Sequence, residues 1–69
     1  METWQYIPGT ADYQVTSARH GALVAVYSHT SGGLAVFHVY PASLPKSKRR
    51  KGAALAVGGL PNLTSWVNR

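Results

Sequence analysis

The sequence predicts an all-β fold, either a small curled antiparallel sheet or a partly open barrel of about five or six short strands. Seven Gly and four Pro are spread through 69 residues, so few windows are long enough for a helix. Between them lie short runs of β-branched and aromatic residues, which favour strands. Because a lone hairpin is only marginally stable in water, we expect these strands to share one sheet.

The first two predicted strands, "ETWQYI" and "DYQVTSA", alternate large apolar and polar residues. Pro8-Gly9 lies between them and predicts a turn, since Pro fixes φ and Gly accepts a positive φ. The next two, "ALVAVYS" and "GLAVFHVY", flank "HTSGG", a connection of hairpin length. This hairpin is the strongest pair in the pattern.

Two prolines then interrupt ladder pairing, so "PASLPKSKRRKG" is predicted to be a connection that carries a basic loop over residues 44–52. "AALAV" and "LTSWV" are predicted to be the last two strands, with a reversal at "GGLPN" between them. A helix beginning in "GAALAVGGL" is the alternative, because Ala and Leu are good helix formers.

The length and composition indicate one small domain over residues 1–69. There is no cysteine, hence no disulfide framework or thiolate metal site, which fits a reducing compartment. No apolar run approaches the roughly 18 residues of a membrane span, and the N-terminus lacks a signal-peptide pattern. We therefore expect a cytoplasmic protein that does not bind membranes.

Positive charge is concentrated in one segment. The formal net charge is +5, from seven Lys and Arg against Glu2 and Asp12. Five of the seven cations lie within six residues: Lys46, Lys48, Arg49, Arg50 and Lys51. Such a field indicates a polyanionic partner or an acidic protein surface. Within it, Arg49 and Arg50 are suited to bidentate phosphate contacts.

The opening residues resemble a known family. Trp4, then Ile7-Pro8-Gly9, then Tyr13 and Val15 fit the pattern W-x-x-I-P-G and Y-x-V-S, with Thr16 in the Ser position. This pattern is typical of the nuclease-associated modular DNA-binding domain (NUMOD type) of phage and intron HNH endonucleases. The resemblance continues more weakly through "VYPASLPKSKRRKGAALAV" and "LTSWVNR". It implies a small β domain that contacts DNA, here without the HNH catalytic module.

The chain departs from the family at three places. The family's Gly-Arg-Val after the second strand is replaced by "ARHGALV", which displaces the arginine to Arg19 or the glycine to Gly21. Ala53 stands where the family has Tyr, and Asn68 where it has His. The assignment of Arg19 as a DNA contact depends on the first of these.

We expect a non-catalytic module that contacts the phosphates of nucleic acid, DNA rather than RNA, through the basic loop. The alternative is a phage-encoded accessory or inhibitor protein, in a bacterial or phage-infected cell, that binds a host polymerase or nuclease through this loop or an edge strand. The predicted contact residues are the same for both: Arg19, Lys46, Lys48, Arg49, Arg50, Lys51 and Arg69.

Other chemistry has little support in the sequence. His20, His29 and His38 are nine residues apart, but no set of Cys, Asp or Glu completes a metal site. With Glu2 and Asp12 as the only acidic side chains, we expect no catalytic residue, no cofactor and no small-molecule substrate.

Four aromatic residues have two interpretations, core packing or a platform for stacking bases: Trp4, Tyr6, Tyr13 and Trp66. Core packing is the favoured one.

Overall fold

A computed structural model describes residues 1–30 and 32–69. In chain order these residues form β1 (Gln5–Tyr6), β2 (Tyr13–Ser17), β3 (Gly21–His29), β4 (Ala35–Pro41), β5 (Ala56–Gly58) and α1 (Leu60–Val67). Two short 3₁₀ turns, Lys46–Lys48 and Lys51–Ala53, lie between β4 and β5. None of the helices in the described ranges combines the length and apolar character needed to cross a membrane.

The five strands form one antiparallel sheet in the order β1-β2-β3-β4-β5. Each strand pairs with its neighbour in sequence. The predicted class, a small fold built mostly of antiparallel strands, is therefore confirmed. The sheet is open and uncurled, with β1 and β5 at its two edges, and does not close toward a barrel.

The predicted central hairpin is confirmed. β3 and β4 pair continuously from Leu23 opposite Pro41 to His29 opposite Ala35. In the connection, the Thr30 amide donates to the carbonyl of Leu34 at 3.1 Å. Ser31, inside the predicted "HTSGG" connection, lies outside the described residues.

The predicted last strand, "LTSWV", is wrong, because these residues belong to helix α1. Pro61 lies in the first turn, where its missing N–H costs nothing, and Gly59 occupies the N-cap position. Leu60, Leu63 and Val67 recur at the spacing of one helix face. Three apolar positions within eight residues are too few to distinguish the period of a helix from the alternation of a strand. The "AALAV" strand is also shorter than predicted, since β5 begins only at Ala56.

The core lies between α1 and one face of the sheet. It consists of alternate residues of β2, β3 and β4 together with two residues of α1: Val15, Leu23, Ala25, Phe37, Val39, Leu63 and Val67. Trp4, Tyr13 and Trp66 are half-buried and pack against this cluster, as core packing requires. Tyr6 remains 54 % exposed and contacts Tyr13 edge-on, with ring centroids 5.5 Å apart.

The Pro8-Gly9 segment forms the predicted turn between β1 and β2. Gly9 has a φ of 81°, which a residue with a Cβ rarely adopts. The Ile7 amide donates to the Asp12 carbonyl at 3.0 Å, and the hydroxyl of Thr10 donates to the Ile7 carbonyl at 2.8 Å. The hydroxyl of Tyr6 donates to the carbonyl of Thr10. These contacts make the stretch a corner of the scaffold.

The opposite face of the sheet is covered at one end only. Val24 and Tyr40 point away from α1, yet they are only 6 % and 3 % exposed. The connection over residues 42–55 leaves β4 beside them, and we infer that it provides their cover. Further along this face, His38 is half-buried and Val57 is 55 % exposed.

Candidate nucleic-acid interface

Four segments of the chain meet at one end of the sheet. They are the β2–β3 turn, the end of β4, the start of the β4–β5 connection and the end of α1. The Ser17 hydroxyl, at the end of β2, donates to the Val67 carbonyl of α1 at 3.4 Å. The Ala42 amide, just after β4, donates to the Ala22 carbonyl of β3 at 2.9 Å. The Leu44 amide donates to the Pro41 carbonyl at 3.0 Å, which holds the start of the β4–β5 connection at this end. The connection returns to the middle of the sheet, where Ala56 pairs with Val39.

The β2–β3 turn, the β4–β5 connection and the end of α1, here together called the basic end, carry every Lys and Arg of the chain: Arg19, Lys46, Lys48, Arg49, Arg50, Lys51 and Arg69. Arg19 lies in the β2–β3 turn, five cations lie in the β4–β5 connection, and Arg69 follows α1. Seven cationic side chains less the Glu2 carboxylate give a formal side-chain charge of +6. Asp12 lies in the far half of the sheet, where its carboxylate accepts a hydrogen bond from the Tyr27 amide at 3.0 Å.

The basic loop is folded by its own backbone. In the first 3₁₀ turn the Lys48 amide donates to the Pro45 carbonyl at 2.9 Å. In the second, the Ala53 amide donates to the Arg50 carbonyl at 2.9 Å. Four of its cations are solvent-exposed: Lys46, Lys48, Arg50 and Lys51. The turns hold the backbone of these residues in a compact shape while their side chains extend into water.

Arg49 differs from the other loop cations. It is half-buried, and its Nε donates to the carbonyl of Leu44 at 3.1 Å. This bond ties the middle of the loop to its beginning. We therefore regard Arg49 as a positioning residue as well as a source of positive charge. Its position in a run of five cations gave no signal of this role.

The β2–β3 turn is fixed by the buried hydroxyl of Ser17, which is 2 % exposed. Ser17 Oγ accepts hydrogen bonds from the amides of Arg19 and His20, at 3.2 and 3.1 Å. Gly21 closes the turn with a φ of 77°. Arg19 then reaches across to the end of α1, where its Nη1 donates to the Arg69 carbonyl at 3.2 Å. Two cations distant in sequence are thereby brought together.

The N-terminal residues join the same cluster. The Glu2 carboxylate accepts a hydrogen bond from the Ala18 amide at 2.7 Å. The side chain of Asn68 accepts from the Glu2 amide and donates to the Glu2 carbonyl, both at 2.8 Å. Asn68 also donates to the Thr64 carbonyl of α1 at 2.8 Å. These bonds fix the segment from which Arg69 extends.

An aromatic pair lies among these cations. The imidazole of His20 stacks on the indole of Trp66, with centroids 4.4 Å apart and ring planes 11° apart. His20 is exposed, and Trp66 is half-buried against the core. The sequence does not indicate this pair, because the two residues are 46 positions apart and the pattern of "LTSWV" predicts a strand. The one local signal, Ser17 followed by Gly21, indicates a turn at His20 and says nothing about Trp66.

The three histidines lie apart. His20 is at the basic end, His29 is at the far end of β3, and His38 is on the face opposite α1. Within residues 1–30 and 32–69 there is no cluster of three or more potential metal-ligating His, Cys, Asp or Glu side chains.

Comparison of the chain with protein-family models, with curated proteins and with solved structures found no match.

Proposed function

We propose that this protein is a non-catalytic nucleic-acid-binding module that binds DNA phosphates through its basic end. The observation that carries the proposal is the placement of all seven Lys and Arg in the three segments of the basic end. A one-sided field of this strength attracts polyanions and orients them as they approach. Phosphate contacts of this kind give affinity and register, with little sequence discrimination.

Six exposed cations divide into two groups of phosphate contacts. Lys46, Lys48, Arg50 and Lys51 extend from the two 3₁₀ turns of the basic loop, while Arg19 and Arg69 extend from the β2–β3 turn and the end of α1. Because the loop backbone is already folded, little backbone entropy is lost on binding. Arg49 donates to the Leu44 carbonyl and stabilises the loop, so it is not counted among these six phosphate contacts.

The resemblance to the NUMOD-type domain of HNH endonucleases favours DNA over RNA. The residues that carry it, such as Trp4 and Tyr13, pack against the core, and the Pro8-Gly9 turn is a corner of the scaffold. In this proposal the motif maintains the fold, and the cations at the other end of the sheet make the contacts. With DNA as the partner, the proposed location is the cytoplasm of a bacterial or phage-infected cell.

The alternative partner, an acidic host protein, uses the same cations. Strand addition is the weaker form of this alternative. The edge strands β1 and β5 contain only two and three residues, so each offers few backbone groups to a partner strand. An acidic surface that binds the basic loop is thus the competing partner that an experiment has to exclude.

Fluorescence anisotropy with a labelled DNA duplex at several salt concentrations tests the proposal. Each phosphate contact contributes about −0.9 to the slope of log K against log salt, so six contacts predict a slope near −5. An affinity weaker than about 100 μM at low salt, or one insensitive to salt, would contradict DNA binding. Capture of an acidic protein from nuclease-treated lysate alongside such a result would favour the alternative partner.

A further inference from the structure

The outer face of the His20 ring is a surface that phosphate binding does not use. One face of the imidazole lies against Trp66 at 4.4 Å, nearly parallel to it. His20 as a residue is exposed, so we infer that the ring face not covered by Trp66 is accessible to solvent. Arg19 precedes it in the chain, and the Arg19 guanidinium contacts the Arg69 carbonyl. A flat aromatic surface is therefore presented among cations.

The ring is held in place before any ligand arrives. Ser17 Oγ accepts the His20 amide at 3.1 Å, which fixes the backbone of the turn. Trp66 packs against the buried cluster and supports the imidazole from below. A platform fixed in this way loses little conformational entropy when a planar ligand stacks on it.

We propose that His20, supported by Trp66, is a stacking platform for an unpaired nucleobase, so that the basic end binds single-stranded nucleic acid. The inference rests on the proposed phosphate binding at the same site. Histidine is among the side chains on which unpaired bases stack, and a positively charged groove beside an aromatic surface is typical of single-strand binding. Every base has a π-face, so this contact tolerates any sequence.

The other aromatic cluster does not suit this role. Tyr13 contacts Tyr6 and Phe37 edge-on, with centroids 5.5 and 5.6 Å apart, and Phe37 contacts Tyr27 in the same way. These rings pack against one another in the half of the sheet away from the basic end. The charged residue in contact with this cluster is Asp12, an anion that precedes Tyr13 and accepts the Tyr27 amide at 3.0 Å. A base stacked there would have no cation beside its phosphates.

Two single-stranded probes with equal numbers of phosphates test the proposal directly. One is an oligothymidylate of about 12 nucleotides, and the other is the abasic backbone of the same length. Stacking of one base predicts at least about fivefold tighter binding of the oligothymidylate. Equal affinity for both probes would overturn the platform and leave phosphate binding intact. Failure to bind either probe would contradict both proposals.

The variant His20→Leu, with His29→Leu as the matched control, locates the effect. Leu still covers Trp66 but offers no aromatic face, so the preference for the oligothymidylate should disappear. His29 is also exposed but lies at the far end of β3, and its replacement should leave the preference unchanged. A preference that survives in His20→Leu would contradict the assignment.

NMR of the unaltered protein provides a test that does not depend on a variant folding. Stacking of thymine should shift the His20 ring protons, and the abasic backbone should not. Equal shifts with both probes would contradict stacking.

Discussion

Replacing the four exposed loop cations with Ser is expected to weaken binding of a DNA duplex by at least about a hundredfold at low salt. The variant is Lys46→Ser, Lys48→Ser, Arg50→Ser and Lys51→Ser. A cation near an anionic surface contributes about 1 kcal/mol, so four together exceed the 2.7 kcal/mol or so of a hundredfold change. The salt slope should become shallower by about 3.6. Anisotropy titrations at two or more salt concentrations measure both quantities.

The control separates the position of charge from its amount. Ala11→Lys and Leu34→Lys, added to the quadruple variant, raise its net charge again by two at the far end of the sheet. Both positions are exposed, Leu34 by 70 %. Affinity should not recover if the basic end is the site. Recovery to more than about a tenth of the original affinity would mean that net charge alone governs binding. Unchanged far-UV circular dichroism is expected, since the replaced side chains are solvated.

Leu63→Ala is expected to have the largest effect on stability, about 2–5 kcal/mol of the free energy of unfolding. Leu63 is 2 % exposed in the core beneath α1. Ala is the best helix former, so the loss reports packing and not helix propensity. For a domain of this size, total stability is only roughly 3–10 kcal/mol. Thermal denaturation should show a melting temperature lower by at least about 10 °C.

Val57→Ala is the control for this loss of packing. Val57 lies in β5 on the face of the sheet opposite α1 and is 55 % exposed. Its replacement should change the free energy of unfolding by no more than about 0.5–1 kcal/mol. A comparable loss from both variants would mean that the face bearing Val57 is covered in solution. A loss below about 1 kcal/mol for Leu63→Ala would contradict the position of the core.

The strands were predictable because their patterns are local. Alternation in β2 and the β-branched runs of β3 and β4 reflect burial of one sheet face, and the Pro8-Gly9 turn follows from the allowed φ of two residues. Helix α1 differs from the predicted strand because eight residues make only a little more than two helical turns. In so short a segment, "LTSWV" suits a strand as well as a helix, and packing against the sheet decides between them.

The candidate site was predictable in composition but not in geometry. The charge run identified the basic loop, and the structure adds that Arg19 and Arg69 lie at the same end of the sheet. The bond from Arg49 to Leu44 depends on how the loop folds, and the contact of His20 with Trp66 depends on tertiary placement. No spacing rule links residues 46 positions apart. For the same reason, the hydrogen bond from Ser17 to Val67 had no signature in the sequence.

Amide chemical shifts in a ¹⁵N-labelled protein are the most direct test of whether DNA binds at the basic end. On titration with DNA, the largest shifts should fall in residues 18–20, 46–53 and 66–69. The Pro8-Gly9 turn and the β3–β4 connection, at the far end, should shift little. Largest shifts in that far half, or along the face that bears Val26 and Val57, would contradict the account.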